Sequence, residues 1–250
     1  MLSAKATGRE EARRMEVLRQ AMVAMGIEDS RERMHIFSSY RNLVLEWNEK
    51  VNLTAIKDPE EFEVKHFVDS LLASSYPGFQ KAENVIDIGT GAGFPGLPLA
   101  ICFPEKQFIL VDSLNKRIRI LNEIIQNLGI ENAVGIHGRA EDLAAQELYR
   151  EKFDVCLSRA VADLSVLAEY CLPFVRVSGY FGAYKSEDVE DELLGSKKAL
   201  KTLGGRFHSS TKMSLEGVHM NHQILWVEKI AHTPAKYPRK AGIPSKEPIK

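Results

Sequence analysis

The 250-residue chain contains three cysteines, Cys102, Cys156 and Cys171, and none of their spacings matches a C-x-x-C or zinc-finger pattern. A metal site or a disulfide framework is therefore not expected. No apolar run approaches the roughly 20 residues that a membrane-spanning helix needs, and the charged amino terminus lacks the apolar core of a signal peptide. The net charge of −1 gives no indication of a strongly acidic or strongly basic partner. These absences predict a cytoplasmic globular protein with no membrane contact, in which any nucleic-acid surface is local.

A glycine-rich stretch, Val85–Gly96, is the most informative feature that is present, because a β-branched run breaks there into a turn and then an apolar helix. Two patterns overlap in it. Gly91-x-Gly93-x-x-Gly96 fits the dinucleotide fingerprint. Asp87-x-Gly89-x-Gly91-x-Gly93 fits the S-adenosylmethionine loop of Rossmann-like methyltransferases. Either cofactor would lie at the carboxyl end of the first strand, with Gly89, Thr90, Gly91 and Gly93 as the predicted contacts.

From Asn84 onward the chain shows alternating strand and helix patterns. The predicted parallel strands are Asn84–Gly89, Gln107–Asp112, Ala133–His137, Phe153–Ser158 and Tyr180–Lys185. The predicted helices after the first four are Gly96–Cys102, Asn115–Leu128, Ala140–Leu148 and Asp163–Val175. A polar helix, Asp188–Leu203, then precedes a hairpin of Arg206–Met213 and Gln223–Glu228, joined by a turn over Glu216–Asn221. This order predicts an α/β, Rossmann-like class I methyltransferase fold with seven strands, the last antiparallel.

Three amphipathic helical patterns precede the sheet: Glu10–Met25, Met34–Trp47 and Asp58–Ser74. The last begins with an N-cap, a proline and a capping-box glutamate. The predicted organisation is therefore a helical extension at 1–78, a catalytic domain at 79–230 and a basic, proline-rich tail at 231–250.

Two features favour S-adenosylmethionine over a dinucleotide. Pro95 lacks the N–H that a pyrophosphate would require at this point of the loop. Tyr180 and Lys185 do not form the Tyr-x-x-x-Lys pair that a one-domain hydride-transfer enzyme usually carries. Asp112, at the end of the second strand, suits the ribose hydroxyls of either cofactor and does not discriminate. In the turn after the third strand, Ala140 and Glu141 either meet the adenine edge or form an acidic first helical turn.

The segment Leu157–Val161 ends the fourth strand, where methyltransferases position the acceptor. It lacks the Asn/Asp-Pro-Pro-aromatic motif of enzymes that methylate exocyclic amines, and Cys156 lies inside the strand rather than in a Pro-Cys turn. Arg159 needs a partner if it is buried. That partner is a carboxylate, of the cofactor or of the protein, or the O6/N7 edge of a guanine.

Together these residues resemble the bacterial glucose-inhibited-division-B (RsmG) family, which methylates guanine N7 in small-subunit ribosomal RNA. Besides the glycine loop, the resemblance rests on Trp47-Asn48-x-x-Val51-Asn52-Leu53-Thr54-Ala55-Ile56, His66-Phe-Val-Asp69-Ser70-Leu71, Asp112-Ser113-x-x-Lys116-Arg117, Ser158-Arg159-Ala160 and Tyr237-Pro-Arg-Lys-Ala-Gly-Ile-Pro244. It implies cofactor contacts at Gly89, Phe94, Ala140, Glu141 and Arg159. It also implies a 16S rRNA substrate, presented within the 30S subunit or its precursor. The family often has two arginines where this chain has Arg239-Lys240.

Guanine N7 carries no proton, so Arg159 is expected to position the acceptor, with no general base. His66 and Asp69 share one helix face and are either solvated or line the RNA-side cleft, as the resemblance implies. His219 and His222 lack a third ligand nearby in sequence, which disfavours a metal. The candidate RNA contacts are Arg139, Lys185, Tyr237, Arg239 and Lys240.

The carboxyl-terminal tail is either a solvated end or a strap across the cofactor-side cleft. For the whole chain, which we expect to be a monomer, two other functions stay open. One is methylation of a small molecule or a protein on the same fold. The other is nicotinamide-dependent oxidoreduction or non-catalytic dinucleotide sensing.

Overall fold

The computed structural model describes residues 15–159, 162–186, 189–212 and 222–250. Within these residues, seven strands form one sheet in the order β3-β2-β1-β4-β5-β7-β6. The strands are β1 (Asn84–Ile88), β2 (Gln107–Asp112), β3 (Ala133–His137), β4 (Phe153–Ser158), β5 (Val175–Ser186), β6 (Gly205–Lys212) and β7 (His222–Lys229). The first five pair in parallel, and β7 runs antiparallel to both of its neighbours. The predicted seven-stranded α/β sheet is therefore confirmed.

The strand order reverses at β1, which pairs with β2 on one side and with β4 on the other. Connections leave the two sides in opposite directions, and a crevice opens at the carboxyl ends of the strands. The loops after β1, β2, β3 and β4 meet at this crevice, which places the site.

Helices cover both faces of the sheet. Those of the amino-terminal region are Glu16–Ala24, Arg31–Asn48, Pro59–Phe62, a π-helical segment over Glu63–Val68, Asp69–Leu71, a 3-10 turn over Leu72–Ser75, and Pro77–Gln80. Those that follow are Gly96–Cys102, Asn115–Asn127, Ala140–Leu143, Leu164–Cys171, a 3-10 turn over Leu172–Phe174, Glu190–Thr202 and Ile243–Lys246. Within the described residues, no helix is long and apolar enough to cross a membrane.

The core has two parts, one on each face of the sheet. One part joins the amino-terminal helices to the sheet, with Phe37, Phe67 and Leu110 fully buried in a single cluster. The other lies beneath the helices Leu164–Cys171 and Glu190–Thr202 and includes Phe174 and Val227. Burying apolar surface on both faces explains why the central strands are continuous hydrophobic runs.

The structure corrects several predicted boundaries. β5 begins at Val175, within the span predicted as the end of a helix, because the preceding helix stops at Cys171 before Pro173. The helix predicted over Ala140–Leu148 ends at Leu143 and continues as turns. The third amino-terminal helix contains a π-helical stretch that periodicity did not reveal. The predicted Glu216–Asn221 turn, Asp188 and the start of the first helix lie outside the described residues.

Candidate active site at the carboxyl ends of the strands

The backbone N–H groups of the glycine loop after β1 are already hydrogen-bonded within the protein. Gly89 and Thr90 donate to the carbonyl of Val111 at 2.9 and 3.0 Å, and Gly91 donates to Asp112 Oδ2 at 3.0 Å. Gly93 and Phe94 both donate to the carbonyl of Thr90. A pyrophosphate needs free N–H groups at this place, and these are engaged. The loop geometry therefore disfavours a dinucleotide, as the proline predicted.

Gly91 lies where the loop opens toward the crevice. Its φ of +59° is the left-handed conformation, and a Cβ built on it would meet nothing within 4 Å. Directly beneath the loop, Asp87 Oδ2 accepts from Thr90 Oγ1 at 2.7 Å and from Gly96 N at 2.9 Å. Asp87 Oδ1 is buried without a hydrogen-bond partner among the described residues. Burial raises the pKa of this carboxyl to about 6, and the hydrogen bond from Thr90 partly offsets it. A negative group under an open glycine suits a cationic ligand better than a phosphate.

Two cavities open at this crevice, and the smaller, of about 270 Å³, lies beside the loop. Its lining includes Gly89, Asp112, Ala140, Glu141 and Arg139. The structure thus brings together side chains that the sequence placed on three separate strand ends. The carboxylate of Asp112 accepts from the backbone N–H groups of Gly91 and Leu114, so its orientation is fixed before any ligand binds.

The carboxyl-terminal tail forms part of the same cavity. Gly242 and Ser245 line it, and the N–H of Gly242 donates to Glu141 Oε1 at 3.0 Å. Glu141 lies in the acidic first turn of the helix Ala140–Leu143, as one of its two predicted roles had it, and it also holds the tail, which neither role included. Sequence reasoning missed Gly242 and Ser245 because they lie about 100 residues beyond the turn they contact.

Arg159, at the end of β4, lies at the centre of a polar network. One terminal nitrogen donates to Asp69 Oδ2 at 2.7 Å and to the carbonyl of Lys65 at 2.9 Å, and the other lies 3.1 Å from His66 Nδ1. Asp69 Oδ1 lies 3.0 Å from His222 Nδ1. The arginine partner that the sequence left open is therefore a protein carboxylate in this structure.

The π-helical segment positions the amino-terminal half of this network. His66 lies within it, and Asp69 follows directly after it. The ring of His66 stacks on Phe94 from the glycine loop, with centroids 4.4 Å apart and an interplanar angle of 5°. Arg159 also lies over the Phe94 ring, at 5.3 Å. π-Helical bulges are frequent at functional sites, and this one joins the helical extension to the cofactor loop.

The network fixes the charges of its members. Burial, followed by the positive charge of Arg159, lowers the pKa of His66 to about 3. Burial alone would raise the pKa of Asp69, but the hydrogen bond from His222 and the charge of Arg159 lower it below its ordinary value. The same hydrogen bond raises the pKa of His222. The site therefore holds a neutral His66, an Asp69 whose pKa is lowered and a His222 whose pKa is raised.

A larger cavity of about 870 Å³ opens next to the network. Thr54, His66, Arg159, Lys185 and His222 all line it. Ala162 lines both cavities, so they adjoin at the end of β4. Sequence reasoning did not single out Thr54 or assign a role to His222. Thr54 lies in a quoted motif, but nothing in that motif indicates that it faces a cavity.

The predicted RNA contacts have mixed surroundings, and their role stays a prediction. Arg139 and Lys240 are exposed. Lys185 is ion-paired with Glu192, and Arg239 donates to both carboxylate oxygens of the buried Glu169. Tyr237 is half-buried and packs against the second core cluster. The described residues contain no cluster that could hold a metal ion, and His219 lies outside them.

The strand order, the antiparallel β7 and the glycine loop at the switch point define a class I S-adenosylmethionine-dependent methyltransferase fold. Comparison with known families gives a narrower assignment. The family described as "GidB: rRNA small subunit methyltransferase G" matches residues 33–222. The chain belongs to this family.

Curated relatives agree along nearly the whole length. "Ribosomal RNA small subunit methyltransferase G" of Clostridium perfringens strain 13 is 46% identical over 235 residues, covering 94% of this chain and 98% of that one. The protein of the same name from Clostridium botulinum strain Eklund 17B is 49% identical over 226 residues, covering 90% and 95%.

Solved structures with low sequence identity share the fold. A mutant of MtNAS superposes with a TM-score of 0.52 at 18% identity, covering 81% of this chain and 79% of that one. The mitomycin 7-O-methyltransferase MmcR gives a TM-score of 0.53 at 13% identity, covering 68% and 56%.

Proposed function

We propose that this protein transfers a methyl group from S-adenosylmethionine to N7 of one guanine in 16S ribosomal RNA. The observation that carries the proposal is the family match over residues 33–222, which covers the larger cavity, the Arg159 network and, apart from Gly242 and Ser245, the smaller cavity. The relatives bear the name of a ribosomal RNA small subunit methyltransferase, and we extend that activity to this chain.

The residues present fit the cofactor. The open Gly91 and the partnerless Asp87 Oδ1 suit a ligand that carries positive charge and no phosphate. Gly89, Thr90, Gly91, Gly93 and Phe94 would hold the amino-acid portion of the cofactor, and Asp112 would face its ribose. Ala140 and Glu141 would flank its adenine. Arg159 is also a proposed cofactor contact, because it has N–H groups beyond the three bonds described. When bound, the cofactor supplies a methyl group activated by its sulfonium, and it leaves as S-adenosylhomocysteine.

The larger cavity suits an acceptor that has no proton to lose. Its lining carboxylates Asp163 and Glu192, and Asp69 of the adjoining Arg159 network, each accept a hydrogen bond from a neighbouring cation or backbone N–H. The Nδ1 lone pair of His66 faces Arg159, and Nδ1 of His222 lies 3.0 Å from Asp69 Oδ1. These groups are thus already engaged with one another, an arrangement that supports an acceptor whose methylation needs no general base. Guanine N7 offers a lone pair and needs no base.

The contribution of the protein is then mainly alignment. Arg159, His66 and Asp69 form a fixed wall at the end of β4, between the cofactor loop and the larger cavity. Holding the nucleophile, the methyl group and the leaving sulfur in line can supply on the order of 7–11 kcal/mol of the barrier reduction.

The substrate is proposed to be 16S rRNA within the 30S subunit or its precursor, met by a monomeric enzyme in the cytoplasm. The exposed Arg139 and Lys240 lie beside the cofactor cavity and in the tail, where they would contact phosphates. Lys185, Tyr237 and Arg239 would complete this surface. Phosphate contacts of this kind position an RNA without reading its sequence.

Two experiments test the proposal. Calorimetry should detect binding of S-adenosylhomocysteine and no binding of NADH. The protein is then incubated with tritiated S-adenosylmethionine and 30S particles from a strain that lacks the enzyme, and the labelled nucleotide is mapped. Label at guanine N7 in 16S rRNA supports the proposal. Cofactor binding without label in rRNA would instead favour a small-molecule or protein substrate.

A further inference from the structure

Thr54 lies in the wall of the larger cavity, in the segment that follows the helix Arg31–Asn48. Asn48 at the end of that helix fixes the segment, because its Oδ1 accepts from the N–H groups of Leu53 at 2.8 Å and Thr54 at 3.0 Å. The hydroxyl of Thr54 is 2.7 Å from His66 Nε2. Its position is therefore set by two elements of the helical extension.

The Arg159 network determines the tautomer of His66. Arginine has only donors, so the approach of Arg159 to His66 Nδ1 at 3.1 Å requires Nδ1 to accept. In a neutral imidazole the proton then lies on Nε2, and the lowered pKa of His66 agrees with a neutral ring. Nε2–H therefore donates to Thr54 Oγ1.

The hydroxyl of Thr54 also accepts from the N–H of Ile56 at 3.1 Å. A hydroxyl oxygen has two acceptor lone pairs and one proton. Both lone pairs face donors, so the remaining capacity of Thr54 is donation. No acceptor for this proton is found among the described residues, and the side chain borders the cavity. The network therefore leaves one neutral hydrogen-bond donor available to a cavity ligand.

We propose that the Thr54 hydroxyl donates to O6 of the acceptor base and selects guanine over adenine; this inference rests on the proposed function. On a guanine edge O6 accepts beside N7, whereas adenine presents its amino donor at the same place. Because both lone pairs of the Thr54 hydroxyl are engaged, it can only donate. It can therefore bond to O6 of guanine, but it would face the amino group of adenine with two donors and no acceptor. Asp69 and Arg159 set the tautomer of His66, and His66 in turn makes the Thr54 hydroxyl a donor, so the specificity of Thr54 depends on this series of hydrogen bonds.

A neutral hydroxyl also suits the reaction better than a fork from Arg159 to both acceptors of that edge. A guanidinium bound to O6 and N7 would occupy the N7 lone pair, which must attack the methyl group. Donation to O6 alone orients the base and leaves N7 free.

The test compares wild-type protein with Thr54→Val and Thr54→Ser. The substrates are unmethylated 30S particles that carry either guanine or 2,6-diaminopurine at the mapped position. Diaminopurine keeps N7 but replaces O6 with an amino group. Wild-type kcat/KM should favour guanine by roughly 100-fold, because a donor facing a donor leaves both unpaired. Thr54→Val should lower kcat/KM on guanine by about 10- to 100-fold and reduce the preference by a similar factor. Thr54→Ser should keep both.

Thr211→Val is the matched control, because Thr211 Oγ1 also accepts from a ring N–H, that of Trp226 at 2.9 Å, but does not line the cavity. It should leave the base preference unchanged, and S-adenosylhomocysteine affinity should be similar in all variants. Equal rates of the wild-type protein on the two bases, or an unchanged preference in Thr54→Val, would overturn the inference. A wild-type protein that methylates neither base would instead count against the proposed function.

Discussion

Arg159 illustrates how one buried side chain organises this site. Its side chain is 16% exposed, and that of its partner Asp69 is 2% exposed. Removing one member of such a pair leaves a buried charge, which typically costs about 3–5 kcal/mol. Any test of the arginine in catalysis must therefore separate lost geometry from lost stability.

Arg159→Lys keeps the charge near Asp69 but cannot make the three contacts to Asp69, His66 and the carbonyl of Lys65. We expect methylation kcat/KM to fall by about 100-fold or more, an effect of the size that misplaced catalytic groups produce. Urea unfolding should show a smaller loss of stability than in Arg159→Ala. The control is Arg176→Lys, whose side chain is 51% exposed and pairs with Asp154 away from the crevice. Wild-type turnover of Arg159→Lys would contradict the proposed positioning role.

Glu63 is a buried carboxyl whose charge state controls stability. Oε1 accepts from the N–H of Leu18 at 2.7 Å, and burial, partly offset by this bond, raises the pKa to about 7. The folded state therefore binds the proton more tightly than the unfolded chain does. The contribution of the protonated Glu63 to the free energy of unfolding is fully present below the ordinary pKa of 4.5, and it is lost as the pH rises to about 7.

Glu63→Gln should remove this dependence, since a glutamine carbonyl still accepts from Leu18 and never ionises. Relative to wild type, the free energy of unfolding should rise by on the order of 2 kcal/mol between pH 5 and pH 8. Urea titrations at the two pH values measure it. Glu147→Gln, an exposed glutamate that is not among the charges acting on Glu63, should show no such change. If Glu63→Gln and wild type lose stability in parallel, the buried ionisation is refuted.

At the scale of elements, the carboxyl-terminal tail is an ordered strap. Arg150 donates to the carbonyls of Thr233 and Tyr237, each at 2.8 Å. Arg239 donates to Glu169, a carboxylate that is fully buried in the helix Leu164–Cys171. Beyond this ion pair, the tail reaches the wall of the smaller cavity at Gly242. Of the two roles predicted for the tail, these contacts favour the strap.

Arg239→Ala should loosen this strap. We expect about 3 kcal/mol of lost stability, because Glu169 is left buried and charged, together with weaker binding of S-adenosylhomocysteine by calorimetry. Arg206→Ala provides the matched control. The Arg206 side chain, which pairs with Glu228, is 64% exposed, so this ion pair should contribute less than about 1 kcal/mol. Unchanged cofactor affinity in Arg239→Ala would show that the tail does not shape the cavity.

At the scale of the whole molecule, the helical extension and the sheet share one core. Phe37 and Tyr40 of the second helix belong to the same buried cluster as Leu110 and Trp226 of the sheet. The hydroxyl of Tyr40 donates to the carbonyl of Ala92 in the glycine loop at 2.7 Å. Residues on both sides of the predicted boundary at residue 78 therefore pack in one continuous apolar core.

We predict that residues 1–78 and 79–230 unfold together. Differential scanning calorimetry should show one transition whose calorimetric and van't Hoff enthalpies agree. Because the shared core contacts the cofactor loop, S-adenosylhomocysteine at 100 times its Kd should raise the stability of that single transition by about 2.7 kcal/mol. Two separate transitions would mean that the extension is an independent domain.

Sequence alone predicted the elements whose signals are local. Strands β1 to β4 matched their predicted spans to within a residue because short apolar runs bounded by turn residues mark them. The π-helical stretch was missed because it changes hydrogen bonding without changing the apolar pattern. β5 was predicted too short because Pro173 was included in the predicted helix and because Val175–Gly179 contains the irregular Ser178, with φ of +69°.

The fold class, the glycine loop and the family resemblance could all be read from the amino-acid sequence, because each rests on short patterns and motifs of neighbouring residues. Which side chains meet became visible in the folded chain alone: Arg159 with Asp69 and His66, Glu141 with Gly242, and Thr54 with the cavity. These partners lie tens of residues apart, and no local periodicity records the pairing. Charge states and the His66 tautomer follow from burial and from the facing groups. They exist only after the chain has folded, because desolvation and close partners set them.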